Sequence, residues 1–148
     1  MQRRVEILGL FFFFLSAFGC AANAQGRGDA VPAELSPCPD SPNCVSTESR
    51  DPGHAMPPLP YVGTRQESHK RLLRVLRGMK RSSLLVVTPT YLRAEFRSAL
   101  FRFVDGVEFL FDDQGGRIHF RSASRTGYYD FGVNRRRMQE ISRMYGEE

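Results

Sequence analysis

The sequence predicts an α+β domain: a four-stranded antiparallel meander with two helices packed on one face, preceded by an irregular proline-rich segment. Two stretches place apolar residues at helical spacing, one around Leu72 and one around Met138, and between them four short runs alternate apolar with polar residues. The connections between those runs are only a few residues long, which forces antiparallel neighbours. A sheet with one apolar face and two helices with one apolar stripe each satisfy one another in a two-layer domain.

The 148 residues leave room for a single such domain. The opening "MQRRVEILGLFFFFLSAFGC" reads as the start of a secretory signal over residues 1–24. Arg3 and Arg4 form its positive region, and Val5 to Phe18 its apolar core despite Glu6. Ala22-Asn23-Ala24 suits cleavage before Gln25, whereas Gly19-Cys20-Ala21 is similar to a bacterial lipoprotein processing site with Cys20 as the lipidated residue. Ala17 and Phe18 depart from the residues usual at such a site. Either reading exports the protein to the periplasm, soluble in the first case and anchored to the membrane through lipid on Cys20 in the second.

Residues 25–63, including "PAELSPCPDSPNCVSTESRDPGHAMPPLPYVG", carry neither a helical nor a strand period, so an extended segment packed along the domain is expected. Removal or lipidation of Cys20 leaves Cys38 and Cys44 as a pair, which an oxidising compartment turns into a disulfide. The bridge closes only "CPDSPNC", and a loop that short contributes about 2 kcal/mol in the chain-entropy account. A metal site on Cys38, Cys44 and His54 would lack a fourth ligand and any standard zinc spacing, so neither metal nor cofactor is expected.

The compact part begins at residue 64. In "TRQESHKRLLRVLRGMKR", Thr64 and Glu67 make a capping box, and Leu72, Leu73, Leu76 and Met79 form a stripe, which predicts a helix over about 65–80. "LLVVTP", "YLRAEFRS", "VEFLFDD" and "RIHFRSA" then read as strands. Thr88-Pro89-Thr90, Asp105-Gly106 and Asp113-Gln114-Gly115-Gly116 separate them as turns. Alternation puts Leu92, Ala94, Phe96, Val107, Phe109, Phe111, Ile118 and Phe120 on one face. Arg93, Glu95, Arg97, Glu108, His119 and Arg121 fall on the other. The last helix, about 134–145, offers Met138, Ile141, Met144 and Tyr145 as its stripe, with Asn134 as N-cap.

Three of these blocks, "SPCPDSPNCVST", "YLRAEFRSALFRFVDGVEFLFDD" and "IHFRSASRTGYYDFGVNRRRM", together resemble the family catalogued as domain of unknown function 1499, found in bacteria and in plant plastid proteins. The resemblance runs from about Leu35 to Met144. It implies no activity, cofactor or catalytic residue, because none is established for that family.

Charge directs attention to one place. The formal net charge is +5, and only Lys70 and Lys80 are lysines, so nearly all of the 21 basic residues are arginines, which fork onto carboxylates and phosphates. Acidic residues are interspersed and no basic stripe develops, so nucleic acid is not an expected partner. Arg135, Arg136 and Arg137 stand in the first turn of the last helix, where the positive end of the helix dipole makes each unpaired cation cost about 0.3–1 kcal/mol. Something negative must compensate them. It is either a guest, an anionic small molecule or the acidic group of an envelope partner, or the chain's own Asp130, Glu95, Glu108 and Asp105. In the first case Arg125, Arg135, Arg136, Arg93, Arg97 and Arg121 would bind it together with Tyr128 and Asn134. Because successive helical residues diverge by about 100°, at most two of the three consecutive arginines can share one partner.

A hydrolase is the rival expectation. Ser124, His119 and Asp130 supply a nucleophile, a base and an orienting acid, although no Gly-x-Ser-x-Gly elbow is present. The expectation is therefore a binding or accessory module of the cell envelope rather than an enzyme.

Overall fold

The computed structural model describes residues 31–100 and 102–148. The expected signal over residues 1–24 and the candidate lipidation residue Cys20 lie outside the described residues. In chain order the elements are β1 (Cys44–Ser46), β2 (Leu59–Pro60), α1 (Arg65–Gly78), β3 (Ser82–Val87), β4 (Tyr91–Arg97), β5 (Val104–Asp112), β6 (Arg117–Ser124) and α2 (Val133–Glu147).

The capping box forms as the sequence requires. The Glu67 N–H donates to the Thr64 hydroxyl, and the Glu67 carboxylate accepts from the Thr64 N–H. Those bonds hold the Glu67 carboxyl below its usual range. Leu72, Val75 and Leu76 turn inward from α1, and Met138, Ile141 and Tyr145 from α2. Both sets join one cluster with Leu92, Ala94, Phe96, Val107, Phe109, Phe111, Ile118 and Phe120. Both helices therefore cover the same face, the one that alternation assigned to the core.

Among the described residues the sheet has six strands rather than four. Its order is β1-β6-β5-β4-β3, with β2 also paired to β6 and all pairings antiparallel. The meander β3 to β6 matches the expectation; β1 and β2 are the correction. They come from the proline-rich segment, which is not wholly irregular. Cys44 pairs with Ala123 and Leu59 with Ile118, so two short strands cover successive parts of the outer edge of β6. Pro60 is tolerated because β2 is an edge strand, where a missing N–H leaves no neighbour unpaired. The disulfide Cys38–Cys44 ties the start of β1, with Cα atoms 5.7 Å apart.

A second correction concerns Asp105-Gly106. Its composition suggests a turn, but the pair lies inside β5 opposite Phe96 and Glu95, and the β4–β5 connection is residues 98–103. An aspartate can occupy an inward strand position there because a cation meets it, as described below.

The face away from the helices is mixed rather than purely charged. Arg93, Glu108 and Arg121 face one another across β4, β5 and β6 as a plus–minus–plus row, and the Tyr91 hydroxyl donates to Glu108 at 2.5 Å. Beside that row, Leu35 packs with Val86 and Tyr91, bringing the N-terminal lead across this face.

Candidate functional site

The junction between β6 and α2 is built around Asn134. The residue is fully buried as the second residue of a helix that starts at Val133, so it is not the N-cap that the sequence suggested. Asp130 does the capping instead: its carboxylate accepts from the Gly132 N–H at 2.9 Å and from the Asn134 N–H at 2.8 Å. Gly132 turns the chain into the helix at φ 74°, a left-handed conformation that favours glycine. With its backbone so held, Asn134 spends its side chain on tertiary contacts. The amide donates to the Asn43 carbonyl and the Ser124 hydroxyl at 3.0 Å each, and to Asp130 at 2.9 Å. Its Oδ1 accepts from Ser122 at 2.6 Å and from Arg137 at 2.8 Å.

The three consecutive arginines diverge, as helical geometry demands. Arg137 points inward, where its guanidinium meets Asp105 at 2.5 Å and lies 4.9 Å over the Phe96 ring. Both members of that ion pair are about nine-tenths buried. Arg135 donates to the Gly53 and Ala55 carbonyls at 2.7 and 3.1 Å and so fastens the loop after β1 to the helix. Arg136 is exposed, and among the described residues its guanidinium donates only to the Phe131 carbonyl, at 2.7 Å. Arg125 pairs with buried Glu95, which Arg97 also approaches at 3.7 Å. Arg121 reaches Glu108 at 3.6 Å, and its Nε is buried without a hydrogen-bond partner among the described residues. Arg93 faces Glu108 in register but stands outside ion-pair distance of it.

The eight residues expected to gather on one anion are thus distributed. Asn134 and Arg135 lie in the junction, Arg125 and Arg97 share Glu95, and Arg93 and Arg121 belong to the far face. Tyr128 and Arg136 remain at the surface. Arg137, absent from the expected set, is the most deeply engaged of all. Its signal was the helical spacing that separates it from Arg135 and Arg136 and lines it up with Asn134 and Ile141, three before and four after it.

Ser124, His119 and Asp130 are not brought together. The Ser124 hydroxyl contacts Asn134, and Asp130 caps α2. His119 points to the other face, with Nδ1 3.2 Å from the Thr47 hydroxyl and Nε2 3.8 Å from Asp112. Asp112 is held below the usual carboxylate range, chiefly because the Gly115 N–H donates to it. Cys38, Cys44 and His54 do converge, with donor atoms within 4.8 Å of one another, but the two sulfurs are spent on their mutual bond. His54 Nδ1 lies 2.9 Å from the Cys44 carbonyl and Nε2 3.4 Å from Asp51.

Two surface features stand out at opposite ends of the sheet. One is an open groove of about 950 Å³ between the start of α1 and the end of β3, lined by Tyr61, Arg65, His69, Val87 and Asp113 among others. Within it, Arg65 and the Tyr61 hydroxyl both donate to Asp113, at 2.6 and 3.0 Å. The Tyr61 phenol is raised above the usual tyrosine range, first by burial and then by that hydrogen bond. The other feature is the end where β4 gives way to β5 and β6 to α2. Here Leu100 and Phe131 are each 79 % exposed, Tyr128 69 %, Tyr129 63 % and Phe103 56 %. The Tyr129 ring lies 6.5 Å from Tyr128 and 5.6 Å from Phe131. Arg102 and Phe131 adopt φ values of 54° and 53° in the left-handed region. Around these groups stand Arg97, Arg102, Arg125 and Arg136, and among the described residues no salt bridge engages Arg102 or Arg136.

Comparison with curated proteins finds no match, and comparison with solved structures finds none either. The model of one protein family, described as protein of unknown function (DUF1499), matches residues 34–144, a span that takes in every element from β1 to most of α2. The chain belongs to the DUF1499 family.

Proposed function

We propose that this protein is a non-catalytic binding module of the cell envelope that recognises an acidic group of its partner through the β4–β5 and β6–α2 end of the sheet. The observation that carries this reading is the contrast in charge compensation at that end. Asp105, Glu95 and Asp130 are all engaged by the chain's own groups, while Arg102 and Arg136 are left facing solvent among apolar side chains. A guanidinium such as Arg136, which no salt bridge engages among the described residues and which lies at Phe131, offers an acidic group both a fork of donors and a surface that excludes water. The Cys38–Cys44 bond and the signal-like leader are consistent with an exported, periplasmic protein. No observation favours the hydrolase alternative, since Ser124 and His119 project to opposite faces of β6.

Amide chemical-shift mapping of the full chain against a pentaglutamate peptide and inorganic phosphate tests the reading. Perturbations confined to residues 98–103 and 125–136, and lost in Arg102→Gln/Arg136→Gln, are the expected outcome. Perturbations centred on the Tyr61–Asp113 groove, or none at all, would refute it.

A further inference from the structure

The geometry points to an anionic lipid bilayer as the surface onto which this end of the molecule docks, with Leu100, Phe103, Tyr128, Tyr129 and Phe131 seated among the headgroups; the inference rests on the binding reading just given and names its partner. Six of the ten large hydrophobic residues exposed among the described residues, these five and Val133, fall in the two loops 98–103 and 125–133. They share one end because β5 begins where β4 ends, and Asp105 pairs with Ser124 at the end of β6. The Arg125 N–H donates to the Val104 carbonyl at 3.1 Å, so the loops are stitched side by side.

Two features separate this patch from an ordinary scatter of exposed apolar residues. The first is composition. Tyrosines and arginines with an apolar body and a polar tip partition to the water–hydrocarbon boundary, and leucine and phenylalanine reach just beneath it. The second is charge. Among the described residues Arg97, Arg102, Arg125, Arg136 and Arg137 supply five guanidiniums at this end against the carboxylates of Glu95, Asp105 and Asp130 and that of Asp40 in the loop whose Asn43 reaches the Gly127 carbonyl, and Glu95 and Asp105 are buried. The outward field is therefore positive, which complements anionic headgroups and opposes docking on a basic surface.

Backbone strain concentrates at the same place. Of the three described non-glycine residues with positive φ, Arg102 and Phe131 lie at the tips of these two loops. A phenylalanine held in a left-handed conformation and left in water is unfavourable on both counts in the free protein. Insertion into a bilayer removes the second penalty and gives the first a purpose.

The chain contains no tryptophan, so Phe131→Trp makes a single local reporter in the full-length protein, and Val87→Trp, at the opposite end of the sheet, makes its control. Vesicles of phosphatidylcholine with about a third phosphatidylglycerol should shift the emission of the Phe131→Trp protein to the blue and expose its indole to quenching by brominated lipid. The Val87→Trp protein should be unaffected, and pure phosphatidylcholine should have little effect on either. Adding Arg102→Gln/Arg136→Gln should weaken partitioning about thirtyfold, from about tenfold per 1.4 kcal/mol and about 1 kcal/mol per surface arginine. The idea fails if emission of the Phe131→Trp protein is indifferent to anionic vesicles, or if the control indole is quenched equally. A response of the Phe131→Trp reporter to pentaglutamate but not to vesicles would overturn the lipid inference while leaving the binding reading standing. Silence towards both would remove both.

Discussion

Arg137 and Arg136 are adjacent in the chain, yet one lies buried against Asp105 and the Phe96 ring while the other stands in solvent and donates to the Phe131 carbonyl. The same contrast separates two regions of the molecule that abut one another. Inside the β6–α2 junction the buried charges meet their counter-charges, and Asn134 spends its side-chain hydrogen-bonding capacity on five partners. Immediately outside, the loops 98–103 and 125–133 carry exposed rings and left-handed backbone, and among the described residues no salt bridge engages Arg102 in the first loop or Arg136 just beyond the second. The inner region is satisfied within the chain, and the outer one is the surface that our binding proposal assigns to a partner. A residue's chemical type does not assign it to either region; its helical angle does.

The sharpest way to break the inner region is Arg137→Ala. It leaves the Asp105 carboxylate buried without its cation, which costs about 3–5 kcal/mol in chemical denaturation. Replacing both partners, as Arg137→Met with Asp105→Leu, should recover most of that loss, because an apolar pair of similar volume removes the desolvation penalty from both sides. Cys38→Ser/Cys44→Ser comes next, lowering stability by about 2 kcal/mol through the freed loop. It should also loosen the Asn134–Asn43 bond, seen as faster amide exchange at Ser124, whose N–H donates to the Asn43 carbonyl.

The outer region should respond in the opposite direction. Phe131→Gly is expected to stabilise the protein by about 1 kcal/mol, since glycine adopts φ 53° without strain and the phenyl ring contributes no core packing. A loss of stability would mean that the ring is structural. The smallest effect belongs to the groove at the far end. There the Tyr61 pKa is raised in the folded state, so its contribution is fully present below the ordinary phenol value of 10.0 and is lost as pH climbs above it towards the folded value. Tyr61→Phe should flatten that alkaline decline without moving the melting temperature at neutral pH by much.

Periodicity carried the fold a long way. The two helices, the four-stranded meander and the partition of β4, β5 and β6 into faces were all readable, because burial imposes periods of 3.6 and 2 directly on the chain. Sequence patterning failed where a local preference was overridden by a distant partner. Asp105-Gly106 has the composition of a turn, and only Arg137, 32 residues further on, makes the aspartate acceptable inside a strand. Asn134 has the identity of an N-cap, but Gly132 takes that position and the Asp130 carboxylate accepts the Asn134 N–H, which leaves the Asn134 side chain free for burial. The strands β1 and β2 are too short to show a period at all; they exist because β6 offers an open edge. As for the site, the stretch 125–137 and its need for counter-charges were legible. Which arginines look inward was not, because that depends on where α2 begins to within one residue.

The pairing of β1 with β6 has a consequence for how the molecule comes into being. Residues 43–56 are fixed by Ala123, Ser124, Asn134 and Arg135, partners about 80 positions later in the chain. A polypeptide that emerges from a ribosome or a translocation pore with its amino end first therefore cannot seal this edge until nearly all of it has appeared. Such long-separation contacts are slow to form. The early segment must wait in an open state while Cys38 and Cys44, only six residues apart, can already be joined by an oxidant. The covalent bond can thus precede the architecture it serves, prearranging the first strand for a partner that has yet to be made.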